Sequence, residues 1–488
     1  VKRRLIGGWV VGWTGTDHEL LEGGCVVLDG DRIAFVGFPD DAACPVADED
    51  VHLPGRLISP GLINLHCIAN IDLQPLRIDV AAVAYPKSRA WFDGTAQVFT
   101  DAQFETSARF AVATLLRNGS TTFSNVTTMA SKRYEDPEVE PIALARAAAE
   151  LGARGYVAHN FQDHSRYDDP DGTNHLVFDA SKGKPGLARA VALVERIRRE
   201  FDDRVQGFLF PYTTETCSDD LLVAARDAAA DLGVTLRSHF AQYPAEARGW
   251  LEREGISPVE RMDRLGILGP QTTLTHAIFL RGHPEVGHGT MDGDLKLLAD
   301  TGTNVAHCPI VFSRRGEVLR SWDRYRRAGI NLALGTDTAP ADILGEMRMA
   351  ATLAKVVDED PLAGSAASVF FAATVGGARA LGRDDLGRLA PGTKADVSVF
   401  DLRSLQLGVV DCPIKALVHY ASGADAEHVF VDGAWVVKDR DVVAIDDGAI
   451  LDEAQAAWGD YKVGLAARDP RGRSAPEMYP TAYPVRRG

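Results

Sequence analysis

The sequence predicts an α/β fold: a (β/α)8 TIM-like barrel beside a small β-sandwich that both chain ends build. Three observations point there. Between residues 58 and 337, eight short apolar runs rich in β-branched residues alternate with alanine-rich helical stretches, the pattern of βαβ units and a parallel sheet. His66, His239, His276, His307 and Asp337 fall at or near the C-terminal ends of those runs, which is the catalytic face of such barrels. The flanks read differently, as alternating strands joined by Asp-Gly turns.

Residues 1–57 are expected to form the first part of the sandwich, with "GCVVLDGDRIAFVG" as two strands and a tight turn. The opening "VKRRLIGGWVVGW" has a basic cluster before an apolar stretch but no small-residue cleavage site, so it reads as a first strand and not an export signal. Residues 58–386 hold the barrel. Its strands are expected at 57–66, 121–126, 152–160, 204–210, 234–240, 272–277, 303–308 and 330–337. Of the helices between them, "SDDLLVAARDAAADLG" starts with a capping Ser218 and two acids and stops at Gly233. "DAQFETSARFAVATLLRNG" follows the same logic, and both belong to an outer ring. Residues 387–450 return to short strands and complete the sandwich, because neither flank alone has strands enough for a core. Residues 451–488 form a C-terminal helix or arm, its end rich in Pro and Arg.

Composition narrows the function classes. Of 488 residues 45% are hydrophobic and 25% charged, globular averages that allow a large core. No apolar run approaches the roughly 18 residues of a membrane span, so no membrane partner is expected. A formal charge of −16 argues against a nucleic-acid surface, which needs clustered Lys and Arg. The six cysteines lie far apart without a CxxC pair, which suits reduced thiols and a cytoplasmic location. The partner expected is a small-molecule substrate.

The chemistry gathers at the strand ends. Zinc-like ions take imidazole nitrogen and carboxylate oxygen, and a catalytic site leaves a position open for water. In a closed barrel the ends carrying His66, His239, His276 and Asp337 converge. Each residue alone has a plainer reading: a strand-end histidine is more often structural, and the Asp of "GTD" can cap the next helix. Their joint occurrence in the right strands favours a metal site. Asn64 shares the face of His66, since strand residues two apart point the same way. It is either a ligand through its amide oxygen or a supporting residue, with water in the open place. His159 and His164 lie near the third strand with no fixed direction, and His283 and His288 sit in a polar Gly-rich loop where solvation is expected.

The ordered motifs "LISPGLINLH", "RSHFAQ", "TLTHAIFL", "VAHCPIVFSRRG", "LALGTDTAP" and "GRLAPGTKADVSVFD" resemble those of the amidohydrolase superfamily, in the cytosine-deaminase-like branch that includes triazine hydrolases and guanine deaminase. The resemblance covers nearly the whole chain. It implies one divalent ion, Zn2+ first and Co2+ or Fe2+ next, held by His66, His239 and Asp337. Asp337 would also take the proton of the attacking water, and His276 would polarise the substrate. It implies homo-oligomers too.

Two departures set this chain apart. The His-X-His of the first strand becomes Asn-Leu-His, with Ile68 where a second histidine would stand; this variant resembles phenylurea hydrolases and molinate hydrolase. Gln242 stands where the deaminases carry a proton-shuttling Glu, and an amide cannot act as a general acid. Tyr212 stands where relatives often have His. These departures lead to the expectation of hydrolysis at the carbamoyl carbon of N,N-dialkyl-N′-aryl ureas or related carbamates and thiocarbamates. Gln242, His307 and Tyr212 would line the pocket, and Trp91 and Phe92 would give an aromatic wall or pack as a buried plug. An aminohydrolase or dehalogenase of an N-heterocycle is the second reading, and a metal-free scaffold, supported by the depleted first strand alone, is the third.

Overall fold

The computed structural model describes residues 1–68, 98–127, 138–168, 174–467, 469 and 471–486. Each of the eight expected strands is present: β1 Leu62–Cys67, β2 Ser120–Val126, β3 Arg154–Ala158, β4 Val205–Gly207, β5 Leu236–Phe240, β6 Thr272–His276, β7 Asn304–His307 and β8 Leu332–Leu334. β1 to β4 pair in parallel as one four-stranded sheet and β5 to β8 as a second. Single parallel bridges link their edges, Leu209 with Leu236 on one side and Cys67 with Asp337 on the other. Parallel pairing puts all eight C-terminal ends on one face.

The helices form where their caps predict. Ser218 accepts the Leu221 N–H at the start of helix Asp219–Leu232, and Gly233 ends it at φ 62°, a left-handed turn that glycine takes without a Cβ clash. Thr100 and Gln103 close a capping box on helix Asp101–Arg117. Leu222, Leu274, Leu298, Val305 and Leu334 are fully buried in one cluster between strands and outer helices.

The first expected strand is divided. Residues 57–60 end a long strand, Glu49–Pro60, that belongs to another sheet, and the chain turns at Gly61 into β1. A Cβ on Gly61 would stand 2.1 Å from Thr121 Oγ1, so only glycine lets the chain pass this close to β2.

The expected sandwich is not seen as a separate domain. The chain ends do meet, but their strands hydrogen-bond as one sheet of nine. The reason is strand length: Lys2–Trp13 pairs with Cys25–Asp29 along its first half, with His18–Glu22 along its second, and with Glu49–Pro60 along its other edge. Glu49–Pro60 then pairs with Val397–Asp401 from the C-terminal flank. Arg154 on β3 locks this sheet to the first four-stranded sheet, its buried guanidinium bonded to Asp396 at 2.9 Å and Asp432 at 2.6 Å.

The C-terminal arm is more regular than its composition suggests. Helix Asp447–Ala466 packs on Asp101–Arg117, with Gln103 donating to Asp460 at 2.8 Å and Tyr461 4.9 Å from the Phe99 ring. Among the described residues no helix is long and apolar enough to cross a membrane, and the six cysteines are free thiols.

Candidate metal centre

The ends of β1, β5, β6 and β8 bring four ligand-type side chains together. One ligand atom each from His66, His239, His276 and Asp337 lies within 4.8 Å of the others, and all four residues are buried. His66 Nε2 stands 3.2 Å from His239 Nε2 and 3.5 Å from Asp337 Oδ1, while His276 Nε2 is 3.9 Å from Asp337 Oδ2. The His239 and His276 rings are parallel at 5.4 Å, and the His66 ring is perpendicular to both.

Local backbone geometry aims these groups. Asp337 (φ 58°), His276 (φ 81°), the adjacent Ala277 (φ 49°) and Ala241 (φ 45°), two residues after His239, hold left-handed conformations that cost non-glycine residues about 1–3 kcal/mol each. Such strain persists where surrounding bonds over-determine it. Asp337 N–H donates to the His66 carbonyl at 3.0 Å, and Ala277 N–H to the Phe240 carbonyl at 3.0 Å.

The protonation states suit a cation. His239 Nδ1 sits 2.7 Å from the Tyr212 carbonyl, so it carries the proton and leaves Nε2 as a lone pair facing the cluster. Burial pushes His276 well below the ordinary imidazole pKa, against the pull of Asp337, and neither ring nitrogen finds a hydrogen bond. For Asp337 burial would raise the pKa, but the His66 bond and the three nearby imidazoles outweigh it and keep the group a carboxylate. Two facing Nε2 atoms, an orphaned imidazole and an ionised carboxylate form a donor set that a divalent ion would satisfy. These residues fit a metal, which speaks against the metal-free scaffold.

The remaining expected residues are placed as follows. Asn64 is buried and bonded at both ends of its amide to Thr336, accepting that residue's N–H at 3.1 Å and donating to its Oγ1 at 2.9 Å. It therefore ties β1 to the residue before Asp337. Tyr212 is half-buried with its ring 5.3 Å from His239, and its carbonyl rather than its hydroxyl orients that imidazole. Gln242 is half-buried just beyond β5. His307 packs against Trp322 at 5.9 Å; burial pushes it down to about 3, so it stays neutral, and it is not one of the four. Trp91 and Phe92 lie outside the described residues. His288 is exposed as expected, but His283 is not solvated: it is buried with its ring 4.7 Å from Phe279, because the loop turns back on itself through the Val286 and Gly287 N–H bonds to the His283 carbonyl. His159 is buried and His164 pairs with Asp163 at 2.8 Å.

Several groups near the site were not singled out from sequence. Glu246 is buried, accepts the Thr214 hydroxyl, and is pushed up to about 8 by burial and then by the charge of Glu215. Glu346 accepts the Ile310 N–H at 3.0 Å, and burial raises its carboxyl far above the usual range. Arg315 lies over the Phe312 ring, which packs against the His276 imidazole. An acid one turn into a helix and an arginine after a short turn look like ordinary surface residues in a string, so only their three-dimensional placement marks them.

The amidohydrolase family model matches residues 57–436. A 5′-deoxyadenosine deaminase from Methanothermobacter thermautotrophicus is 28% identical over 455 residues, 91% of this chain and 97% of that protein. A 5-methylthioadenosine/S-adenosylhomocysteine deaminase from Thermococcus kodakarensis is 29% identical over 413 residues, 84% and 88% of the two chains. A zinc-bound adenosine deaminase structure from Xanthomonas campestris superposes with TM-score 0.75 at 23% identity, covering 94% of this chain and 98% of that one. The zinc complex of atrazine chlorohydrolase from Arthrobacter aurescens also gives 0.75, at 22% identity over 93% and 100%. These two structures share the α/β fold. The deaminase names of the curated relatives overturn the expectation of phenylurea, carbamate or thiocarbamate hydrolysis, which rested on the Asn-X-His strand and the missing Glu.

Proposed function

Because the chain belongs to the amidohydrolase family, whose metal-dependent hydrolases act on carbon–nitrogen bonds, we propose that it is an aminohydrolase that replaces the ring amino group of an adenosine-type substrate by oxygen and releases ammonia. The observation that carries this reading is that relatives aligned over about nine-tenths of the chain are named as deaminases of adenosine derivatives. The two four-stranded sheets, bridged at both edges, are read as one closed barrel with the site at its C-terminal mouth.

His66, His239 and Asp337 would hold one divalent ion, Zn2+ before Co2+ or Fe2+, and bound there it supplies the Lewis acidity that makes water a nucleophile at neutral pH. Asp337, kept ionised, takes the proton of the attacking water and passes it to the leaving amine, which departs as ammonia. His276, kept neutral, steadies charge that develops at the attacked carbon. Asn64 holds β8 in place through Thr336, the Tyr212 carbonyl fixes the His239 tautomer, and His307 supports the pocket from behind. Gln242 orients the substrate but has no proton to give.

Gln242 favours a second reading in which the same ring position loses a group that needs no proton, such as a halide. The test is product release from zinc-loaded protein: ammonia from 5′-deoxyadenosine and 5′-methylthioadenosine against chloride from a chlorinated N-heterocycle. Ammonia at catalytic rates, rising further in Gln242→Glu, supports the proposal. Chloride release without ammonia would replace it with the second reading.

A further inference from the structure

The turn after β7 carries two adjacent arginines with different fates. Arg314 is tied down, donating to the Ala339 carbonyl at 3.0 Å. Arg315 is not: its guanidinium packs over the Phe312 ring at 5.5 Å, and that ring in turn lies 4.5 Å from the His276 imidazole. One aromatic ring thus separates a cation from the ligand-type cluster. The turn itself is braced, since the Arg315 and Glu317 N–H groups both donate to the Phe312 carbonyl, at 2.8 and 3.1 Å. From β5's side the Tyr243 hydroxyl, next to Gln242, accepts from the guanidinium. Among the described residues no carboxylate is paired with Arg315, although Glu317 is near and Asp337 lies within electrostatic reach. Burial opposes its charge, while Tyr243, Asp337 and Glu317 sustain it, so the group stays cationic.

In a chain of net charge −16, an arginine beside the cluster with no paired carboxylate among the described residues is a local positive spot in an acidic surround. Its planar fork suits a carboxylate or phosphate better than a neutral group. We propose that Arg315 sets substrate specificity by taking an anionic substituent, carboxylate or phosphate, on the end of the substrate remote from the reacting ring carbon. This rests on the adenosine-type reading above and narrows it to nucleosides with an acidic tail.

The experiment measures kcat and KM of zinc-loaded wild type, Arg315→Gln and Arg315→Lys on three compounds: neutral 5′-deoxyadenosine, S-adenosylhomocysteine with its carboxylate, and adenosine 5′-monophosphate. The wild type is expected to prefer one of the two anionic compounds, which also tells carboxylate from phosphate. Arg315→Gln then raises KM for that compound about tenfold or more with kcat little changed, leaves 5′-deoxyadenosine within about twofold, and Arg315→Lys recovers part of the loss. Zinc content and Tm equal to wild type establish that the variants are intact. An equal effect of Arg315→Gln on neutral and anionic compounds, or a wild type that prefers the neutral one, overturns the inference and leaves the deaminase reading standing. A wild type that deaminates none of the three overturns both.

Discussion

At His276 and Asp337 burial acts on opposite charge types, and neighbours decide the outcome. The imidazole loses its proton to desolvation, whereas for the carboxylate the hydrogen bond from His66, first among its imidazole contacts, outweighs burial and keeps the charge. The division of labour follows: removing His276 should leave the ion and remove the chemistry. His276→Ala is expected to retain zinc by elemental analysis while turnover falls by about 10²–10³; zinc loss equal to that of His239→Ala would make His276 a ligand instead. Glu246 gives a prediction about stability. Its folded pKa of about 8 lies above the unfolded value, so its contribution is fully present below the unfolded pKa and is lost as pH rises through the folded one. Glu246→Gln mimics the protonated acid and should remove that loss, so that its Tm exceeds wild type by roughly 2 °C or more at pH 8 and matches it near pH 4.5. A Tm difference independent of pH would contradict the assignment.

Elements matter here through how closely they approach. The stretch after β8 crosses the end of β1 at Gly335, where a Cβ would meet the His66 carbonyl oxygen at 2.6 Å and its nitrogen at 2.8 Å. Backbone cannot yield as a side-chain tip can. Gly335→Ala should therefore push His66 and Asp337 apart, destabilise the fold by about 1–3 kcal/mol, and weaken zinc binding, read by thermal melts and zinc titration. Wild-type affinity in a less stable variant would show that the strand ends adjust independently. All eight strands were legible in the sequence because each lies in a short apolar run between helical stretches, and His66, His239, His276 and Asp337 were legible because they fall at or near the ends of those runs. The supporting bonds were not. That Tyr212 acts through its carbonyl, and that both ends of the Asn64 amide go to Thr336, depends on backbone positions that no side-chain pattern encodes. Nor could alternation alone tell a folded-over sandwich from one sheet of nine, since both bury every second residue.

Across the whole molecule, the nine-stranded sheet and the strands that carry the site are joined by a buried charge cluster. Arg154 is fully buried and faces Asp396 and Asp432, with Lys394 adding a contact to Asp432 at 3.2 Å. Removing the arginine strands two carboxylates, and breaking such a buried pair costs about 3–5 kcal/mol. Arg154→Met should lower the midpoint of denaturant unfolding accordingly, with sheet and site lost in one transition; a separate early transition of the sheet would show that the charge cluster does not couple them. The measurement that bears most directly on the central claim is zinc binding by chelator-stripped protein, followed together with ammonia release from 5′-deoxyadenosine. One ion per chain, with activity returning in proportion and neither seen in Asp337→Ala, is the predicted result. A folded wild-type protein that takes up no ion, or that releases ammonia equally well without one, would contradict it.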